Sequence, residues 1–486
     1  MTITIVGLGP GNGRLLTRAA WDILTNSQVV YLRTGRHPAV DDLPASITYH
    51  TFDHLYETAD SFAAVYQTIT QELVAQAQQG DLIYAVPGHP FVGESTVTGL
   101  LKAAQAANLS VEIVDGLSFV EPTLAAAQID ALDGLQLFDA LDLVTYLYPP
   151  LNPDTPLLLG QVYSRLIASE VKLSLMAVYP DDHPVQLIHA AGGTDQLVEL
   201  LPLYAIDRSE QIDHLTSLYV PALPHLSSVS SLAETVAILR SPHGCPWDRE
   251  QTPQTLRSGL LEETIEVLTA LDEDDPAALC EELGDLLLQV VMQAQIAAEE
   301  ESFKLTDVVA GIEAKLKRRH PHVWGDVAVS DTDEVLQNWE QIKQQEKGEN
   351  KPSSLLATVP DLLPALAQSQ KIQHKVAKIG FDWPDIAGVW DKFAEEVAEL
   401  QAATTPEEQA SELGDILFVA ANLARWLGAD AESSLREANL RFTRRFQQVE
   451  RLAVERTLDL SQLSMDELNL LWQEVKLELA KTEAHP

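Results

Sequence analysis

The sequence predicts a multidomain chain, with an N-terminal α/β domain followed by two all-α helical-bundle units. Three observations predict it. Short β-rich runs alternate with helix-periodic stretches over the first part of the chain. From Ser227 onward almost everything is helix-periodic and rich in Leu, Ala, Glu and Gln. The polar, Pro- and Gly-containing stretch KGENKPSS (347–354) then separates two helical segments of similar size, each carrying the same acidic pattern. The expected bounds are 1–225 for the α/β domain, 226–346 for the first helical unit, 347–358 for a linker and 359–486 for the second unit.

In the front segment, TITIVGLG (2–9) and DLIYAVPG (81–88) are apolar runs ending in Gly, and SVEIVDG (110–116) is a third. Between them AAWDILTNS and SFAAVYQTITQELVAQAQQG repeat their apolar residues every three to four positions. Strands alternating with helices argue for a sheet with parallel elements. The 486 residues, 46% hydrophobic and 21% charged, suffice for several buried cores. A formal net charge of -40 repels polyanions, so neither nucleic acid nor an anionic membrane is an expected partner. A small anionic substrate needs a local site with cations or metal. Cys245 and Cys280 form no CxxC pair, which points to packing residues in a reducing compartment. MTITIVGLGPG reads as strand and turn rather than a secretory signal, and no apolar run approaches the roughly 18–20 residues of a membrane span. The expected location is the cytoplasm.

The helical half raises the chemical question. EETIEV (262–267) is followed by ELGD (282–285), and EEVAEL (395–400) by ELGD (412–415). Positions three and four apart share a helix face, so Glu396 and Glu399 project together, as do Glu412 and Asp415 one helix later. AATTPEEQ between them contains Pro406, which stops one helix and starts the next; so short a link packs the two helices antiparallel. Four carboxylates aimed at one spot repel one another unless a cation is bound. Oxygen ligands without His or Cys favour Mg²⁺ or Mn²⁺. Glu263, Glu266, Glu282 and Asp285 repeat the layout. Solvated helix faces of an acidic protein are the plain alternative. Against them, the second pairs head strongly apolar helices and lie beside Leu283 and Leu413, where a solvated face is not expected. A carboxylate-bridged di-iron site would need Glu-x-x-His, and here the fourth position is Asp.

EExxE, a spacer and ExxD, together with GCPWDREQT (244–252), KLKRRHPHVWGD (315–326), WEQIK (339–343), KIGFDW (378–383) and RFTRRFQQVE (441–450), resemble the two-domain MazG-type nucleoside triphosphate pyrophosphohydrolases. The resemblance covers nearly all of 227–486. It implies Mg²⁺-dependent hydrolysis of nucleoside triphosphates to monophosphate and pyrophosphate, with Glu396, Glu399, Glu412 and Asp415 as the catalytic, metal-binding set. It also implies a mainly structural first unit, though Lys315, Arg318 and Arg319 leave a second working site open. Lys392, Arg441 and Arg445 are candidate phosphate contacts. Trp472 matches a family tryptophan expected at the nucleotide, with core packing as the other reading.

VGLGPGNG (6–13) follows a strand but fails the Rossmann spacing, because the sixth position from Gly7 is Asn12. With PGHPFVGESTV (87–97) and VDGLSFVEP (114–122), residues 1–222 resemble the tetrapyrrole methylases. That implies an S-adenosylmethionine cleft with contacts at Gly9, Pro10, Gly88, Pro90, Ser95, Thr96 and Ser118. Where many of those enzymes carry Gly-Asp-Pro this chain has Gly88-His89-Pro90, so methyl transfer and mere sensing of the cofactor both stand as readings. A helical half that only dimerises is a third. Helical units of this size commonly complete their cores by pairing, and a homodimer is expected.

Overall fold

Apolar strands in the first 220 residues build two five-stranded sheets. The computed structural model describes residues 1–59, 61–346 and 354–483, and its contacts divide the chain into two units, Met1–Gln251 and Thr252–Pro486. In the first unit β1 (Thr2–Gly7), β2 (Val29–Leu32), β3 (Thr48–Thr51), β4 (Leu82–Val86) and β5 (Ser110–Val114) pair in the order β3-β2-β4-β1-β5. Every pairing in that sheet is parallel, as the alternation predicts. Parallel strands buried on both faces need near-continuous apolar residues. Ile3, Ile5, Val6, Tyr84, Ala85 and Val86 are all fully buried.

The second sheet departs from that pattern. β6 (Gln136–Asp139), β7 (Leu157–Gly160), β8 (Pro184–His189), β9 (Leu197–Pro202) and β10 (Thr216–Val220) run in the order β6-β7-β10-β8-β9. Only β6 and β7 pair in parallel; β10 is antiparallel to β7 and β8, and β8 to β9. The link from β8 to β9 is too short for a crossover helix, so those strands can only return as a hairpin.

Glycines let the first sheet's loops cross. A Cβ on Gly7 would lie 2.6 Å from the Gly88 carbonyl oxygen and 2.7 Å from Gly116 Cα. Gly9, at φ +73°, exchanges backbone hydrogen bonds with Gly88 in both directions. Farther along, the helix Val229–Arg240 is fastened to the same unit by Asp154. That carboxylate accepts from Ser227 N at 2.6 Å, Ser228 N at 3.2 Å and Ser231 Oγ at 2.7 Å.

The second unit is helical, apart from its turns. Helices Arg257–Glu273 and Pro276–Glu299 form one hairpin, and Ile386–Ala402 and Pro406–Trp426 a second. Each reversal has local causes. Asp274 takes the left-handed conformation (φ 54°), and Asp275 caps the next helix by accepting from Ala277 N and Ala278 N. In the second hairpin Thr405 and Glu408 make a reciprocal capping box with Pro406 at the first turn, each such cap contributing about 1 kcal/mol. Val389, Val419 and Leu423 then close a small core with Ile386, Phe393 and Trp426. Gln373, 4% exposed, donates to the Phe418 carbonyl at 2.7 Å and ties a third helix, Ala365–Ala377, across the pair.

One expectation fails here. Leu283 and Leu413, read as protected neighbours of the acids, are 48% and 49% exposed. Helical periodicity places them on the outer face of their hairpins, which the described residues leave half uncovered. Residues 347–353 of the expected linker lie outside the described residues; in the rest of it Ser354 caps a short 3-10 turn, Leu355–Thr358.

Candidate active sites

Both hairpins bring glutamates together. Carboxylate oxygens of Glu263, Glu266 and Glu282 lie within 4.8 Å of one another, and so do those of Glu396, Glu399 and Glu412. The first two of each set sit one turn apart on the incoming helix, and the third faces them from the returning helix. Asp285 and Asp415, expected as the fourth ligands, stand outside these sets. Each acts on its cluster through charge: burial and then Asp285 keep Glu263 above the ordinary carboxylate range, and burial, then Glu399 and then Asp415 do so for Glu412. Glu282 is raised likewise, by desolvation first and then by Glu266. Such crowding of like charges is relieved by a proton or a cation.

The two clusters differ in their counter-charge. In the second, Glu396 is only 5% exposed and the Lys392 ammonium donates to it at 2.7 Å and to Glu395 at 3.0 Å. These bonds raise the lysine's pKa, so it stays charged. Lys392, expected at phosphate, is thus engaged with a carboxylate of the cluster. In the first hairpin the position four residues before Glu263 is Gly259, where a Cβ would meet Gln289 Nε2 at 3.1 Å. Arg318 and Arg319, the basic residues expected to serve that unit, pair with Glu346 at 2.7 and 2.5 Å, and Arg319 also lies 5.3 Å from the Trp339 ring centroid.

Of the remaining expected contacts, Arg441 and Arg445 lie on the helix Ala431–Glu455, where Arg441 approaches Glu437 at 3.6 Å. Trp472 packs with Val449, Leu471 and Val475, its ring 5.1 Å from that of Phe442. The packing reading of this tryptophan therefore has an observed basis. On another face of the same helix, Arg436 reaches Asp272 of the first hairpin at 3.3 Å and Arg444 donates to the Asp272 carbonyl at 3.3 Å.

The α/β unit contains a cavity of about 480 Å³. Gly9, Pro10, Gly88 and Ser95 line it, as expected of the cofactor contacts; Pro90, Thr96 and Ser118 are not among its lining. Thr96 is 1% exposed and its hydroxyl donates to Glu94 at 2.6 Å, while Ser118, 3% exposed, donates to Glu121 at 2.6 Å. His89 is tied into its loop, accepting from Phe91 N at 3.1 Å and approaching Asp115 at 3.5 Å. The wall also includes Arg33, Arg36 and His37, which the sequence reading missed. Their signal was present: LRTGRHP (32–38) is a basic run directly after a strand in an otherwise acidic chain.

Comparison with known proteins agrees with this layout. The model of tetrapyrrole (corrin/porphyrin) methylases matches residues 2–207, that of the MazG nucleotide pyrophosphohydrolase domain 251–324, and that of phosphoribosyl-ATP pyrophosphohydrolase 373–442. The YabN protein of Bacillus subtilis (strain 168) is 41% identical over 483 residues, 98% of each chain. The chain belongs to the YabN family. This YabN-family chain is 44% identical over 257 residues to the nucleoside triphosphate pyrophosphohydrolase of Escherichia coli (strain K12), covering 52% of this chain and 98% of that protein. A uroporphyrin-III C-methyltransferase structure from Thermus thermophilus aligns at 21% identity and a TM-score of 0.37, over 45% of this chain and 93% of that one. No helix among the described residues is long and apolar enough to cross a membrane.

Proposed function

We propose that the helical half hydrolyses nucleoside triphosphates to the monophosphate and pyrophosphate, and that the second hairpin is the working site. The observation that carries this is the convergence of Glu396, Glu399 and Glu412 beside Lys392. Three hard oxygen donors within reach of one another, with Glu412 held above the ordinary carboxylate range by burial and by the neighbouring charges of Glu399 and Asp415, fit a divalent cation, Mg²⁺ or Mn²⁺. When bound, such an ion neutralises phosphate oxygens and lowers the pKa of an attacking water. The chain's own residues do the rest. Lys392 holds Glu396 in place and keeps a positive charge at the edge of the cluster. Arg441 and Arg445 offer forked donors to phosphate oxygens, and Trp472 has an apolar face next to Phe442. In the reaction water adds to one phosphorus while the bond between α- and β-phosphates breaks, so both products leave as anions. Turnover of common and damaged triphosphates, with and without Mg²⁺, tests the assignment. Pyrophosphate release that ignores the metal, or none from any triphosphate, would overturn it and favour a purely dimerising helical half.

The α/β unit is read as an S-adenosylmethionine domain, since four of its seven expected contacts line one cavity. Calorimetry with that cofactor decides between a methylase and a sensor in one respect: binding without any methylated product favours the sensor. The half-exposed Leu283 and Leu413, with Leu287 and Leu417 one turn on, support a second copy as the cover of the hairpins. Light scattering that gives a monomer mass would exclude that homodimer. The cytoplasm, the absence of nucleic-acid and membrane partners, and the domain bounds 1–225, 226–346 and 359–486 complete the reading.

A further inference from the structure

Arg33 is the least expected residue in the α/β cavity. It follows β2, its side chain is 21% exposed, and two neighbours fix its orientation: Nε donates to Tyr56 Oη at 3.0 Å and Nη1 to Glu94 at 2.6 Å. Glu94 is itself locked by Thr96, whose hydroxyl meets Tyr84 Oη at 2.9 Å. The guanidinium is therefore held rigid, while its Nη2 edge has no partner among the described residues. A planar fork held in place with donors to spare is the group that recognises carboxylate or phosphate. Arg36 lines the same wall, paired only loosely with Glu57 at 3.3 Å across an exposed surface. His37 adds neither charge nor a free donor, because both ring nitrogens are engaged by the backbone. Its Nδ1 accepts from Ala39 N at 3.3 Å, which leaves the proton on Nε2, the nitrogen facing the Gly9 carbonyl.

The acidic lining residues Asp139 and Asp142 come from the second sheet's side, so charges of opposite sign enter the cavity from the two sheets. An aromatic platform adjoins the cationic wall. Phe62, 59% exposed, borders the cavity beside Tyr66, with ring centroids 6.3 Å apart and planes within 23°. Arg33 in turn lies 5.7 Å from the Tyr66 centroid. The exposed face of Phe62 can stack a planar heterocycle, and a neighbouring guanidinium can take the anion attached to it. Each guanidinium on this wall already faces a glutamate, Glu94 or Glu57, so what the wall offers an anion is directed N–H donors and not a net positive field.

We propose that this cavity takes, beside the cofactor, a nucleoside monophosphate, with its phosphate on Arg33 and Arg36 and its base on Phe62. A ring bearing a carboxylate shares part of that chemistry. The choice of nucleotide rests on the hydrolase reading, because that reaction delivers nucleoside monophosphate within the same polypeptide. The α/β unit then either senses or modifies what the helical unit makes.

Calorimetry on the full chain with S-adenosylhomocysteine present would titrate AMP, UMP, adenosine, inorganic phosphate and benzoate. Pyrophosphate release from the same samples is measured separately, so that failure of the hydrolase is not confused with failure of this site. AMP or UMP is expected to bind at least tenfold more tightly than adenosine, phosphate or benzoate, an interval set by one charge-assisted contact. Arg33→Lys, which keeps the charge against Glu94 and removes the fork, should weaken monophosphate binding about tenfold. Phe62→Ala, at an exposed ring that carries no fold risk, should weaken it by a similar factor. Both should leave pyrophosphate release unchanged. Monophosphate binding that neither substitution alters would place it elsewhere and overturn the proposal, as would benzoate binding as tightly as AMP or no monophosphate binding at all.

Discussion

The two helical hairpins carry the same three glutamates in the same places, yet only one places a lysine against them. In the second, Lys392 pairs with a Glu396 that is 5% exposed. In the first, Gly259 occupies the matching position, Glu263 is more open, and Arg318 and Arg319 are drawn off to Glu346. Acidic residues alone gather a cation. A neighbouring fixed positive charge in addition lets one carboxylate be buried and oriented, which is what reproducible geometry requires. The comparison teaches that a duplicated set of carboxylates need not come with a duplicated counter-charge.

The largest test of that contrast is a pair of substitutions. Glu396→Gln should lower pyrophosphate release about a hundredfold or more, whereas Glu263→Gln should leave most of it, measured as phosphate after added pyrophosphatase. The reverse order would transfer the activity to the first hairpin. Next in size, Lys392→Met should cost about tenfold in kcat/KM by freeing the buried carboxylate from its partner. An unchanged rate would show that the lysine is incidental and that the hairpins differ for another reason.

A third test uses acidity. Glu412, Glu263 and Glu282 have folded pKa values above the ordinary 4.5. Through the window from 4.5 up to those raised values the folded chain holds more protons than the unfolded one, so stability falls as pH rises. Magnesium should therefore raise the thermal midpoint more at about pH 7 than at about pH 5, as scanning calorimetry would read it. An equal rise at both would mean that these carboxylates do not share an ion. The smallest effect concerns the link from the helix Ala431–Glu455 to the first hairpin. Arg436→Gln removes a partly exposed ion pair with Asp272 and should cost about 0.5 kcal/mol in chemical denaturation, without changing turnover.

Much of the helical site was legible because the i, i+3 and i, i+4 spacing fixes which side chains share a face, whatever the tertiary context. Pro406 marked the reversal correctly, and Thr405 with Glu408 completes the cap. What spacing cannot give is reach. Asp415 lies on the correct helix, one turn beyond Glu412, yet remains outside the cluster of oxygens. Nor does an apolar run tell whether its cover lies in the same chain, and so Leu413 was expected inside and is half exposed. In the front unit, β1, β4 and β5 were readable as apolar runs ending in glycine. The antiparallel half of the second sheet was not, because its strands differ from parallel ones in connection length more than in composition. Thr96 and Ser118 were inferred from resemblance alone, and they spend their hydroxyls on Glu94 and Glu121.

Asp154 has a consequence for anyone who would divide this polypeptide. Its carboxylate is held at a pKa of about 2 by donors from Ser227, Ser228 and Ser231. Scission between residues 225 and 226 would strand that anion without its donors and release a helix from its mooring. Scission after Gln251 would leave the fastening whole, and the liberated front piece should then withstand protease while the shorter one frays.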